Sequence, residues 1–216
     1  DVLPMWVADM DFKAAPAVLQ ALQERVTHGV FGYPRESGEL KEAIAERMLN
    51  RYGWRVDPEA VVFVPGVVTG FNLAAHALAR PGGAVLMQTP VYFPFFGVAT
   101  NTGMKQVDSP LVRQGDGSYG IDFAQFNGSI DETTAMFLLC NPHNPVGRVF
   151  RRDELEKMAE LCLRHGVPIC SDEIHSDLVF PGHPHLPIAA LDPEVEKNCI
   201  TLIAPSKTFN IAGLEC

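Results

Sequence analysis

Two short segments late in the chain carry side chains that could do chemistry. The apolar run from Cys199 to Pro205 is followed directly by Ser206-Lys207-Thr208-Phe209. Asp172, 35 residues before Lys207, follows another apolar run. A lysine amine at a strand end can form a Schiff base with an aldehyde, and a carboxylate there can pair with a protonated ring nitrogen. These are the two groups that a pyridoxal 5′-phosphate (PLP) enzyme requires.

Each of these residues also has a common structural explanation. An isolated lysine is usually a surface residue, and a lone aspartate is more often a helix N-cap or a member of an ion pair. The position of Lys207 after an apolar strand favours a nucleophilic amine instead. Asp172 and His175 could also bind a metal together with two later histidines. Those histidines, His183 and His185, lie in a Pro/Gly-rich segment that indicates an exposed loop, so we predict no metal site.

A strand-to-helix turn earlier in the chain could bind phosphate. In Pro65-Gly66-Val67-Val68-Thr69-Gly70, backbone N–H groups at the helix start and the Thr69 hydroxyl would hold an anion. An ordinary strand-to-helix turn explains the segment at least equally well when it is taken alone.

The segment from Thr89 to Phe96 is unusually aromatic for a loop. A planar cofactor needs a flat apolar surface against its face, and Tyr92 could supply it. A structural aromatic cluster is the alternative, and we favour it for Phe95 and Phe96.

A rigid loop follows the apolar run at 135–140. In Asn141-Pro142-His143-Asn144-Pro145-Val146-Gly147, two prolines and a glycine come directly after a buried strand. Such rigidity is expected where an amide, here that of Asn144, must be aimed at a ligand oxygen. Turn formation alone would rarely require both prolines.

Alternating helical and strand patterns predict the scaffold for these residues. Helical spacing covers 16–28, 38–52, 69–80 and 152–165, with Gly166 as a predicted C-cap. Apolar runs typical of strands buried on both faces cover 61–65, 84–88, 135–140, 167–170 and 199–204. This order predicts a three-layer α/β domain with a mostly parallel central sheet and helices on both faces. Ligands of such sheets bind beyond the carboxyl ends of the strands, where the polar motifs fall.

Composition limits the classes of function. Hydrophobic residues make up 47% of the 216 residues and charged residues 20%, which is typical of a globular protein with a core. A net charge of −9 without a Lys/Arg cluster argues against nucleic acid as a partner. The five cysteines lack metal-type spacing and indicate reduced thiols in a cytosolic protein; no apolar run is long enough for a bilayer. The chain starts without methionine and stops without a polar tail, so we expect a fragment.

Together these motifs resemble the fold-type I PLP enzymes. Within them the chain is similar to the MalY/PatB branch of the class I/II aminotransferase superfamily, a group of cystathionine β-lyases and cysteine desulfhydrases. The similarity covers the whole chain in order. The matching motifs are 3–12 (LPMWVADMDF), 28–33 (HGVFGY), 171–175 (SDEIH) and 206–214 (SKTFNIAGL).

The resemblance implies a role for each motif residue. Lys207 would carry the cofactor and remove the substrate α-proton, Asp172 would bind the pyridine nitrogen, and Asn144 would contact the ring hydroxyl oxygen. His175 would lie near that oxygen, and Tyr92 would stack on the ring as a second catalytic residue. The phosphate would be held by Val67, Val68, Thr69 and Ser206. Tyr33 would reach the phosphate of the neighbouring subunit. The resemblance therefore implies a homodimer with shared active sites.

The activity implied by the resemblance is that of a cytoplasmic, PLP-dependent carbon–sulfur β-lyase acting on cystathionine or another cysteine conjugate. An aminotransferase is the alternative within the superfamily. A non-catalytic truncated protein or regulator is the alternative of another class.

Some positions depart from the family pattern. Glu215 stands where many aminotransferases have a phosphate-binding arginine, which favours the lyase, and Phe93 replaces a second tyrosine. We expect residues 1–36 to form an N-terminal arm or small-domain segment and residues 37–216 a PLP-binding large domain. The small C-terminal domain, with its carboxylate-binding arginine, would be missing, so this chain alone could be inactive.

Overall fold

The computed structural model describes residues 2–3, 7–33 and 35–214. The chain forms two compact units. The first consists of Asp1–Phe63 with Ala204–Cys216, and the second of Val64–Ile203. These units are defined by contacts within the chain. The predicted boundary between residues 36 and 37 instead separates an N-terminal arm from a cofactor domain, and it stays a prediction.

Helices and strands alternate along the described residues. The helices are α1 (Pro16–His28), α2 (Gly38–Tyr52), α3 (Val67–Leu78), α4 (Pro94–Thr102), α5 (Phe123–Gly128), α6 (Arg152–His165), α7 (Pro193–Lys197) and α8 (Pro205–Thr208). The strands are β1 (Ala84–Met87), β2 (Lys105–Asp108), β3 (Val112–Arg113), β4 (Tyr119–Gly120), β5 (Thr134–Cys140), β6 (Ile169–Asp172) and β7 (Cys199–Leu202).

In the first unit the sequence sets the helix ends. The Ser37 hydroxyl caps α2 by accepting a hydrogen bond from the Leu40 N–H at 3.3 Å, and the helix ends at Gly53 in the left-handed region. Met48 is the buried residue of α2. The apolar spacing of α1 predicts its helix correctly, but none of the α1 residues is buried.

The second unit contains a five-stranded sheet in the order β2-β1-β5-β6-β7, and every neighbouring pair in it is parallel. All seven residues of the central strand β5 are buried, which is the pattern of a strand covered on both faces. β3 and β4 form a separate antiparallel pair.

Helices cover both faces of this sheet. α5 and α6 pack onto one face in a hydrophobic core that includes Phe137, Leu155 and Met158. α3 and α4 pack together outside that core, with the rings of Phe71 and Phe95 5.1 Å apart, and α3 contacts β5, β6 and β7. The predicted three-layer α/β architecture with a mostly parallel sheet is confirmed.

Several elements differ from the sequence predictions, among them the short elements β3, β4, α5, α7 and α8, which the sequence patterns do not predict. The predicted strand at 61–65 is wrong, because a strand needs a hydrogen-bonded neighbour and these residues pair with none of the described strands. β2 escaped prediction because its residues are mostly exposed and form no apolar run. α4 begins inside the aromatic segment for which the sequence predicts a loop. In the described part of the chain, no helix has the length and apolar character of a membrane span.

Candidate cofactor site

Backbone hydrogen bonds bring three strand-end loops of the second unit together. The Asn141 N–H donates to the Asp172 carbonyl at 2.9 Å, which joins the loop after β5 to the end of β6. The Tyr92 N–H donates to the Asn144 carbonyl at 3.0 Å, which joins the loop after β1 to the loop after β5. Tyr92, Asn144 and Asp172 therefore lie along the same carboxyl edge of the sheet, as the parallel order of the strands requires.

Asp172 ends β6 as a buried carboxyl group. It is 4% exposed, and its Oδ1 accepts a hydrogen bond from the Ile174 N–H at 3.1 Å. Burial raises the pKa of Asp172 to about 6; the Ile174 bond opposes this rise and the nearby Glu173 carboxylate adds to it. The ion pairs among the described residues of the second unit do not include Asp172. A cation placed against this carboxyl would therefore be favourable.

Hydrogen bonds hold the loop after β5 to the last residue of that strand and to Phe150, which follows the loop. The Asn144 N–H donates to Cys140 Sγ at 3.4 Å. The side chain of Asn141, fully buried, accepts a hydrogen bond from the Phe150 N–H at 3.0 Å. These bonds fix the backbone from which the half-buried Asn144 side chain projects.

The aromatic segment divides into exposed and packed rings. Tyr92 is half-buried, and its ring meets that of Phe93 edge-on at 5.1 Å between centroids. Phe93 is 74% exposed. Phe95 is buried against Phe71 and has the structural role predicted for it, whereas Phe96 is 38% exposed.

The start of α3 leaves backbone N–H groups available. Gly66 precedes the helix with φ 83° and ψ 156°, and no side chain caps this end. The first helical hydrogen bond runs from the Gly70 N–H to the Gly66 carbonyl at 3.0 Å. The N–H groups of residues 67–69 therefore have no acceptor within the helix. Val67 is buried, while Val68 and Thr69 are exposed.

Three predicted site residues belong to the first unit. Lys207 and Ser206 lie on α8, which begins shortly after β7. Ser206 is buried and its carbonyl accepts a hydrogen bond from the Ile211 N–H at 3.0 Å, while Lys207 is half-buried. Tyr33 is exposed.

The turn after β6 holds His175, and Glu173 before it belongs to a buried pair that the sequence does not predict. His175 is half-buried there. Glu173 is buried, with Oε2 2.7 Å from the Nε2 of His185. The prediction that His185 lies in an exposed loop is wrong, because its side chain is 1% exposed; His183 is exposed as predicted. Nothing in the spacing signals a histidine partner 12 positions after a glutamate. Within the described residues, no group of His, Cys, Asp and Glu could hold a metal ion.

Comparison with known proteins decides the family. The model described as aminotransferase class I and II matches residues 1–216. The chain belongs to the aminotransferase class I and II family. Among curated relatives, cystathionine beta-lyase PatB of Bacillus subtilis (strain 168) is 49% identical over 216 residues, covering 100% of this chain and 56% of that protein. Protein MalY of Escherichia coli (strain K12) is 35% identical over 216 residues, covering 99% of this chain and 54% of that protein.

A solved structure shares the fold. The crystal structure of cystalysin from Treponema denticola, which contains a pyridoxal 5′-phosphate cofactor, matches with a TM-score of 0.94 at 38% identity, covering 99% of this chain and 54% of that one. The resemblance to the MalY/PatB branch is confirmed. This aminotransferase-family chain spans about half the length of the curated relatives it matches. Residues 4–6 of its N-terminal motif and Glu215 lie outside the described residues.

Proposed function

We propose that this family member binds PLP and acts as a carbon–sulfur β-lyase on sulfur-containing amino acids. The observation that carries the proposal is the buried carboxyl of Asp172, whose pKa is raised by burial. A protonated pyridine nitrogen is the kind of cation that such a group favours, because attraction to a positive charge offsets the cost of burial. The similarity to PatB, a cystathionine beta-lyase, supports the choice of reaction.

Other residues of the second unit fit the same cofactor. The unused N–H groups of residues 67–69 suit a phosphate ester at a helix start, and the Thr69 hydroxyl would add a donor. The ring of Tyr92 suits stacking on a planar heteroaromatic ring. Asn144 and His175 would donate hydrogen bonds to the ring oxygen.

The reactive amine of the proposal comes from the motif at 206–214. We assign Lys207 to hold the cofactor and to take the α-proton of the substrate, and the Ser206 hydroxyl to bind the phosphate. When bound, PLP supplies an electron sink that stabilises negative charge at the α-carbon of an amino acid. Asp172 would keep that sink effective by holding a proton on the ring nitrogen.

In the proposed reaction, Lys207 takes the α-proton and the bond between the β-carbon and sulfur breaks. The sulfur takes up a proton and leaves as a thiol. The remaining three-carbon unit is released and is hydrolysed to pyruvate and ammonia. An aminotransferase is the second candidate, because it begins with removal of the same α-proton and the chain belongs to the aminotransferase class I and II family.

The assembly and location are part of the same proposal. We assign a homodimer in which Tyr33 binds the phosphate of the neighbouring subunit, and a cytoplasmic location. The exposure of Tyr33 leaves its ring available to a partner. We also retain the division into an arm (1–36) and a cofactor domain (37–216). Sedimentation at equilibrium tests the dimer, and a Tyr33→Phe variant that weakens PLP binding would support the shared site.

Product analysis tests the reaction. Purified protein with PLP is given L-cystathionine, and pyruvate and free thiol are measured together. Equal amounts of both products support the lyase, whereas transfer of the amino group to a 2-oxo acid without thiol release supports the aminotransferase. A folded, PLP-loaded protein that does neither would contradict both and leave the non-catalytic alternative.

A further inference from the structure

A buried acid–base pair lies directly beside Asp172 in the chain. Glu173 Oε2 is 2.7 Å from His185 Nε2, and both side chains are 1% exposed. The Ser171 hydroxyl and the Ile188 N–H donate to the other oxygen, Oε1, at 2.9 Å and 3.3 Å. Both carboxylate oxygens of Glu173 are therefore hydrogen-bonded inside the protein.

This pair lies on the opposite face of the strand from Asp172. The Glu173 N–H donates to the Leu202 carbonyl at 2.9 Å, so Glu173 continues β6 by one residue. Successive strand residues point to opposite faces, and the bond between Ser171 and Glu173 places those two side chains on the same face. The proposed reaction uses Asp172 and assigns no role to Glu173 or His185.

The pair closes a loop that begins at Asp172. Glu173 and His185 are 12 positions apart, and the segment between them includes His175. Ile188, which also bonds to Glu173, is fully buried in the hydrophobic core. Glu173 therefore ties both ends of the loop to the sheet and to the core. Without these bonds, the long loop that begins directly after Asp172 would lack this attachment to the sheet and the core.

Stability alone is a weak explanation for this pair. A buried acid–base pair generally contributes little net stability compared with apolar side chains of similar size, since both groups lose their hydration. Such a pair also fixes the geometry of the residues that carry it. Here the pair of Glu173 and His185 fixes the backbone around Asp172.

We infer that Glu173 and His185 are positioning residues that hold the Asp172 carboxyl and the turn after it in the orientation that PLP binding requires. The inference rests on the proposed function, in which Asp172 binds the ring nitrogen. His185 acts through Glu173, and Glu173 acts through the backbone on either side of it.

The test compares His185→Ala, Glu173→Ala and the double variant in the complete chain. Glu173→Gln keeps an oxygen acceptor for Ser171 and Ile188 and is the conservative variant. Leu161→Ala removes a buried side chain of α6 and serves as a control for lost stability.

Two quantities are measured in addition to the melting temperature of each variant. The first is hydrogen exchange of the Ile174 amide, which bonds to Asp172 and needs no cofactor. The second is the dissociation constant of PLP.

A positioning role predicts that each alanine variant raises Ile174 exchange and the PLP dissociation constant about ten-fold, by analogy with the loss on removing the hydrogen-bond partner behind a metal ligand. The double variant should be no worse than either single one, and Glu173→Gln should be closer to wild type. The inference is overturned if the alanine variants lower only the melting temperature, as is expected of Leu161→Ala, and leave Ile174 exchange and the PLP dissociation constant unchanged. Failure of wild type to bind PLP would overturn the proposed function, while Ile174 exchange would still decide the positioning role.

Discussion

The side-chain amide of Asn210 bonds both backbone groups of Met10, a residue 200 positions earlier in the chain. The Met10 N–H donates to Asn210 Oδ1 at 3.2 Å, and Asn210 Nδ2 donates to the carbonyls of Met10 at 2.7 Å and Phe12 at 3.0 Å. Asn210 has φ 53°, a left-handed conformation that asparagine adopts more readily than most residues. All three residues belong to the first unit, so this amide fastens the N-terminal segment to the stretch that carries Lys207.

Removing the Asn210 side chain should release the N-terminal segment. Each of the three hydrogen bonds contributes about 1 kcal/mol, so we expect trypsin to cleave after Lys13 up to about 100-fold faster in Asn210→Ala. Asn210→Gly tolerates the left-handed backbone and should behave like the alanine variant. Mass spectrometry follows the cleavage, with cleavage after Arg113 of the second unit as an internal reference. Unchanged cleavage after Lys13 in both variants would contradict the fastening role.

Asp172→Asn should change how the stability of the cofactor-free chain depends on pH. The pKa of Asp172 is raised from 3.8 to about 6, so between these values the folded chain binds more protons than the unfolded chain. Stability contributed by this group is therefore present at low pH and is lost as the pH rises through that window. The shift corresponds to at most about 3 kcal/mol. The stability of the asparagine variant relative to wild type should increase by up to that amount from pH 4 to pH 7.

Urea unfolding of both proteins at several pH values measures this difference. A constant difference between wild type and Asp172→Asn across the range would show that Asp172 titrates alike in the folded and unfolded chains.

His143 should produce a pH dependence of the opposite sign. Burial lowers the pKa of this histidine from 6.5 to about 4, with Arg148 adding to the shift. The unfolded chain then binds more protons in that window, so stability is lost as the pH falls through it. Compared with wild type, His143→Gln should lose less stability between pH 7 and pH 4, by up to about 3 kcal/mol. The same urea titrations measure this effect, and a variant as sensitive to acid as wild type would refute it.

Gly66→Ala should damage phosphate binding at the start of α3. The backbone of Gly66, at φ 83° and ψ 156°, is open essentially to glycine alone, so alanine should cost about 1–3 kcal/mol and move the first N–H groups of the helix. Loss of charge-assisted hydrogen bonds should weaken PLP binding about ten-fold or more. Gly166→Ala, at the left-handed C-cap of α6, is the matched control. It should lose stability without losing PLP affinity, and equal affinities in the two variants would argue against a phosphate site.

Much of the sheet could be predicted from the sequence because its strands are buried on both faces. The runs at 84–88 and 135–140 correspond to β1 and β5, and the run at 167–170 overlaps the observed β6 but starts and ends two residues earlier. The carboxyl ends of these strands determine where Tyr92, Asn144 and Asp172 lie. The roles of these residues toward PLP stay predictions, since they depend on side-chain contacts with a ligand.

The missed features depend on partners that are distant in sequence. The apolar run at 61–65 has the composition of a strand but pairs with no described strand, and pairing cannot be read from composition. The Pro/Gly-rich segment around His185 predicts exposure, whereas the side chain is buried and contacts Glu173, 12 positions earlier. The contact between Met10 and Asn210 joins two motifs whose spacing carries no sign of it.

The absorbance spectrum of the purified protein with PLP, with and without Lys207→Ala, tests the central claim most directly. We predict a protein-bound band in the visible region for wild type. The band should disappear in Lys207→Ala and remain in Lys197→Ala, a lysine that pairs with Glu194 at the surface. A folded wild-type protein without this band, or a Lys207→Ala variant that keeps it, would contradict the account.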